Sequence, residues 1–278
     1  LIVIFKHLII CLTLFYNLNV TSDTHCNLSM FVWQPEIITQ DVIDEVVEDG
    51  FCRMYVYCSV KNIRAFEEAL ELCKDNNIEV YALNGSYEWI DETDRLYEYY
   101  DVLKELTMKD YTNLKGVVLD IEPYVADDFQ DEDYEVFVDL IKDSIDLTEA
   151  LQLKLNVVVP FWYEKIQVDS IIDVDNLASW IIMNVDEFTI MAYRNEVYGK
   201  NGVFDLIDEE LIVNAIADGK MNIALETRKS SEGDNISFYN HEKNDVLNAI
   251  EAIRKILVFR WSDVNYVVHD LKSWLKLD

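Results

Sequence analysis

From residue 30 onward the chain repeats one pattern: a short run rich in β-branched and aromatic residues, then a longer segment with apolar residues at helical spacing. Eight such runs occur, at 30–34, 53–59, 79–84, 116–122, 154–161, 188–193, 222–226 and 263–269. Between them, sets such as Phe66, Ala69, Leu70 and Cys73, or Val246, Leu247, Ile250, Ile253 and Leu257, fall on one helical face. Strands alternating with amphipathic helices build a parallel sheet. Eight units in 278 residues predict an α/β fold, a single-domain (β/α)8 or TIM barrel, which takes about 250 residues. The competing architecture is an open doubly wound sheet. It lacks the glycine-rich turn that a dinucleotide site places after the first strand, and the chain has only 7 glycines.

The fourth run, Gly116-Val117-Val118-Leu119-Asp120-Ile121-Glu122-Pro123, ends in two carboxylates that a strand would turn to the same face. In a parallel barrel that end is where active sites are built. The plainer reading is an ion-paired strand end. With Asp120 and Glu122 marking the inward face, alternation sends Thr189, Met191 and Tyr193 inward on the sixth run and Asn222, Ala224 and Glu226 inward on the seventh. Asn84 closes the third run, His269 the eighth, and Trp162 follows the fifth. The expected mouth therefore combines acids, aromatics, an amide and an imidazole. Glycoside hydrolysis needs one carboxyl that stays protonated for the leaving oxygen and a second negative or nucleophilic group at the oxocarbenium-like centre, and Trp162, Tyr163 and Tyr193 are rings on which a sugar could stack. Each aromatic also has an ordinary role in barrel packing.

Absent motifs narrow the choice. There is no Walker loop, no Gly-x-Ser-x-Gly elbow and no His-Glu-x-x-His. No Cys/His cluster has metal-ligand spacing, so neither a metal nor another cofactor is expected. The run Asp127, Asp128, Asp131, Glu132, Asp133 lacks EF-hand spacing and reads as a solvated loop before a helix, with calcium binding as the alternative. Fifty-three acidic against 23 basic residues give a net charge of -30. That charge argues against nucleic acid and is easier to reconcile with a neutral or cationic ligand. A carbohydrate partner and a monomeric state are expected.

Residues 1–22 contain one Lys, no Asp or Glu, a short apolar run from Leu8 to Tyr16 and the small-residue pattern Val20-Thr21-Ser22. They read as a secretory signal, although the chain opens on Leu1 and the leader could be incomplete; 23–278 is the barrel. A membrane anchor is the alternative, but no later stretch reaches the roughly 18 apolar residues of a span. The protein is expected to be secreted or extracytoplasmic, with no membrane insertion after the leader is removed. Cys26, Cys52, Cys58 and Cys73 then allow one or two disulfides, against the reading that they pack as small hydrophobes. Asn27, Asn84 and Asn235 begin N-glycosylation triplets.

Asp120-Ile121-Glu122 and Met191-Ala192-Tyr193 resemble the chitinase-like family 18 glycoside hydrolases, over two strand ends and the barrel order. The resemblance implies that Glu122 is the general acid. It implies too that Asp120 orients the substrate's 2-acetamido group, the internal nucleophile, and that Tyr193 hydrogen-bonds that group. The motif is divergent: Val118 and Lys115 stand where the family has further aspartates, and Arg194 where an Asp usually follows the Tyr. Arg194 and His269 join Trp162 and Asn84 as candidate substrate contacts. A second resemblance, to retaining barrel glycosidases with acids on strands four and seven, implies Glu122 as acid/base and Glu226 as nucleophile, about 5–5.5 Å apart. Ile121 replaces the Asn that commonly precedes the fourth-strand acid in that group, and Arg228, two residues past Glu226, is placed to neutralise it. The alternative from another class is a barrel that binds carbohydrate without cleaving it, and an amidase or deacetylase on the same scaffold is less favoured because the metal ligands of a hydrolytic metal centre are not seen.

Overall fold

The computed structural model describes residues 27–171, 174–207, 220–257 and 264–278. Eight strands pair in parallel and in chain order: β1 (Leu28–Val32), β2 (Arg53–Tyr57), β3 (Glu79–Asn84), β4 (Leu114–Leu119), β5 (Lys154–Pro160), β6 (Glu187–Met191), β7 (Lys220–Glu226) and β8 (Val264–His269). β1 pairs with β2 on one side and β8 on the other, so the sheet closes into a barrel. The described helices are α1 (Gln40–Glu48), α2 (Ile63–Asp75), α3 (Asp94–Thr107), α4 (Asp133–Leu151), α5 (Leu177–Asn184), α6 (Val203–Leu206), α7 (Lys243–Leu257) and α8 (Leu271–Trp274). The chain therefore has the expected TIM-barrel architecture, and the open sheet is excluded. The predicted leader and Cys26 lie outside the described residues.

Strand alternation separates two cores. Outward-facing residues meet the helix stripes, including Phe66, Ala69, Leu70 and Cys73 of α2 and Val246, Ile250, Ile253 and Leu257 of α7, all buried. Inward-facing Phe31, Tyr55, Tyr81, Leu83, Val118, Val158, Ala224 and Val267 fill the lumen. Below them the strand starts carry a buried ionic knot. Arg53 donates to Glu187 at 3.0 Å and to Glu79 at 2.8 Å, and the Tyr81 hydroxyl donates to Glu187 at 2.9 Å. Gly116 makes room for that tyrosine, since a Cβ there would lie 2.4 Å from the Tyr81 ring. A lumen filled by side chains leaves chemistry only at the strand C-terminal ends.

Cys58 and Cys73 are buried free thiols, as the packing reading has it, whereas Cys52 is disulfide-bonded. Of the three sequon asparagines, Asn235 is exposed, Asn27 accepts from Arg254 at 2.9 Å and Asn84 is buried. No helix among the described residues is long and apolar enough to cross a membrane.

Candidate active site

β4 ends at Leu119, yet the ladder runs one step further, because the Asp120 backbone N–H donates to Asn84 O at 3.0 Å. The next residue of that neighbouring strand end, Gly85, has φ +153° and presses against Asp120; a Cβ there would sit 2.2 Å from the Asp120 carbonyl oxygen. Only a residue without a side chain fits. Asp120 thereby continues the inward alternation of Gly116 and Val118. Pro123 then opens a 3₁₀ turn, Pro123–Val125, which brings the Tyr124 hydroxyl back beside Glu122.

Crowded carboxyls with little water hold their protons. Burial, then the charge of Glu122, pushes the Asp120 pKa from 3.8 to about 7 against an opposing pull from His269. Its Oδ1 is buried without a hydrogen-bond partner. Burial also raises Glu122, while Tyr124 and His269 favour its anion and the charge of Glu232 disfavours it. The Tyr193 phenol is raised far above its ordinary value, by burial first and then by Glu226, Asp120 and Glu122. It stays protonated beside three acids whose charges disfavour its anion.

Glu226 and His269 are register partners at the ends of β7 and β8. His269 Nδ1 lies 3.0 Å from Glu226 Oε2, and the backbone N–H of Arg228 donates to Glu226 Oε1 at 2.6 Å. The Trp33 indole donates to His269 Nε2 at 2.8 Å. An indole N–H can only donate, so this bond belongs to the neutral imidazole with its proton on Nδ1. Burial also favours that neutral form, but the hydrogen bond and charge of Glu226, with Asp270 and Asp120, outweigh it and raise the His269 pKa. Protonating Nε2 would cost the Trp33 bond. The ring is clamped between Tyr193, stacked with centroids 5.9 Å apart, and Phe31, edge-on at 5.2 Å.

Asp120, Glu122, Tyr193, Glu226 and His269 thus share one mouth. The remaining candidates stand differently. Trp162 packs edge-on against Tyr124 at 4.7 Å, one ring removed from Glu122. Arg194 donates to Tyr193 O at 2.6 Å and lies over Phe161. Asn84 spends its amide on Cys58 O, at 2.6 Å, and on the Gly85 N–H, at 2.8 Å. Tyr163, a possible sugar platform by sequence, is fully buried against Tyr124, Tyr134 and Phe137 and has no free face. Arg228 meets Glu226 through its backbone, and among the described residues its guanidinium forms no ion pair with that carboxylate. Among the described residues no group of three or more His, Cys, Asp or Glu is arranged to hold a metal. Three contributors escaped the sequence reading. Trp33 was signalled by alternation from Phe31 and Tyr124 by its place two residues after Glu122, while Gly85 carried no local signal.

Neither a protein-family model nor a curated protein sequence matches the chain. Solved structures do. The spore cortex-lytic enzyme SleL of Bacillus megaterium QM B1551 superposes with a TM-score of 0.56 at 9% identity, over 90% of this chain and 73% of that one. A GH5 cellulase from an Icelandic hot spring isolate gives 0.55 at 14%, over 88% and 75%, and a chitinase from Chromobacterium violaceum 0.50 at 14%, over 73% and 68%. Tryptophan synthase from M. tuberculosis also reaches 0.50, at 10% identity over 91% and 89%. At these identities the likeness is one of fold: the barrel resembles those of glycoside hydrolases, on a scaffold that also carries other chemistry.

Proposed function

We propose that this protein is a secreted glycoside hydrolase in which Glu122 donates the proton to the leaving oxygen, and Asp120 and Tyr193 position the group that attacks the sugar. The observation that carries this reading is the Asp120–Glu122 pair at the end of β4, in which Asp120 is raised to about 7 and burial also raises Glu122, beside a protonated phenol. The buried Asp120 Oδ1 has no hydrogen-bond partner, an unmet acceptor that a donor such as the N–H of a 2-acetamido group would satisfy. Both Glu226 oxygens already hold donors, which supports a role in orienting His269 over one as nucleophile. The fold shared with chitinases and a cellulase agrees with this reading without carrying it.

The test uses purified protein without residues 1–22 on aryl glycosides and unmodified oligosaccharides of the chitin and cellulose series. Glu122→Gln is expected to lower kcat on unmodified oligosaccharides by about 10²–10⁴-fold, and less on aryl glycosides whose leaving group needs no proton. Full activity in Glu122→Gln would remove the role. Glu226→Gln should gain nothing from added azide; azide rescue would instead make Glu226 the nucleophile. Tight oligosaccharide binding with no turnover by the unsubstituted protein would leave a binding barrel.

A further inference from the structure

Four of the chain's 23 basic side chains, Arg228, Lys229, Lys272 and Lys276, line one cavity of about 870 Å³ at the C-terminal face of the barrel. The clustering stands out because the chain as a whole carries a charge of -30. Elsewhere many basic side chains are spent on carboxylates, with Arg53, Arg95 and Lys243 each holding two, and those that are not, such as Lys104 and Lys115, lie outside this cavity. The four cavity cations are exposed, and among the described residues none is in an ion pair. Two carboxylates share the cavity, Asp270 and Asp278. Asp270 is engaged in capping α8, where its Oδ1 accepts from Ser273 N and Oγ at 3.0 and 2.7 Å. A net positive recess therefore opens in a negative molecule.

This recess adjoins the mouth. Trp33 lines it while donating to His269, so one indole belongs to both. The Arg228 guanidinium is near enough to Tyr193 to oppose the effect of the acids on that phenol. Two rings, Trp33 and Tyr239, give the recess apolar faces, and Lys229 Nζ lies 5.8 Å from the Tyr239 ring. Rings flanked by unpaired cations suit a sugar that bears a negative group, which gains both stacking and charge-assisted hydrogen bonds.

We propose that the cavity is a subsite for an anionic sugar, a uronate or a sulfate ester, adjoining the residue held at the Glu122 mouth. The protein would then act on an acidic glycan. The assignment of this glycan as a substrate rests on the hydrolase reading; its binding does not.

The experiment measures binding to Glu122→Gln protein, which leaves the ligands uncleaved, using tetragalacturonate, a sulfated carrageenan tetrasaccharide and neutral cellotetraose. At about 0.1 M salt the Debye length is about 10 Å, so the local recess outweighs the distant acids. At least one anionic ligand is expected to bind tenfold or more tighter than cellotetraose, and which of the two does so separates carboxylate from sulfate. Lys272→Glu with Lys276→Glu should abolish that preference. Lys104→Glu with Lys115→Glu, exposed residues outside the recess carrying the same charge change, should keep it. Equal binding of all three ligands, or equal losses in the two double variants, would overturn the proposal. Neutral-glycan turnover without anionic preference removes the subsite and leaves the hydrolase; anionic binding to the recess with no turnover by the unsubstituted protein does the reverse.

Discussion

Asp120 concentrates the electrostatics of the mouth in one titration. Unfolded, its carboxyl loses a proton near 3.8; folded, only near 7. Between those pH values the unfolded chain binds fewer protons, so stability falls as pH rises, by a few kcal/mol at about 1.4 kcal/mol per pKa unit. The stabilising proton is fully present below pH 3.8 and lost as pH passes through about 7. Asp120→Asn, neutral throughout, is expected to gain stability relative to the parent between about pH 4 and 8. Urea denaturation at both ends of that range checks this, and a constant difference would refute it. Glu122→Gln should also move the Asp120 titration downward, since the Glu122 charge is the second cause of its elevation. An infrared titration of the carboxyl bands reads that shift.

At the scale of elements, the site depends on how the ends of β3 and β4 meet. Gly85→Ala places a methyl group against the Asp120 backbone at a φ that L residues rarely adopt. It should cost about 1–3 kcal/mol and lower kcat beyond what the stability loss explains, because Asp120 must shift. Denaturation midpoints compared with rates on folded protein check this, and unchanged kcat would detach Gly85 from the site. The same junction shows what was legible in sequence. The eight runs matched strands because β-branched and aromatic periodicity is local, and β3 occupies the predicted 79–84. Asp120 and Glu122 were found because alternation continues past the ladder. Asn84, equally terminal, was drawn instead into backbone bonds with Cys58 and Gly85, a choice made by the neighbouring strand end.

For the whole molecule, a charge of -30 implies self-repulsion in the compact state. Raising ionic strength from about 0.01 M to 1 M shortens the Debye length from about 30 Å to about 3 Å, so the melting temperature should rise by several degrees. A melting temperature that stays flat or falls with sodium chloride would show that the acids are already compensated. The buried knot at the barrel floor should behave differently, since it is shielded from salt. Arg53→Met strips buried Glu187 of its closest ion pair, leaving it only Lys154 at 3.9 Å and the Tyr81 hydroxyl, and is expected to cost about 3–5 kcal/mol with little dependence on ionic strength.

Residue order alone determined the barrel, its strand sequence and the inward set carrying Asp120, Glu122, Tyr193 and Glu226, because period-two and period-3.6 patterns are properties of neighbours along the chain. It did not decide which of those groups hold protons, that His269 joins Trp33 to Glu226 across 236 and 43 residues, or that four cations gather in one recess. Those outcomes depend on burial and on distances between strands far apart in sequence. They exist only once β8 closes on β1 and the mouth is drawn shut around its charges.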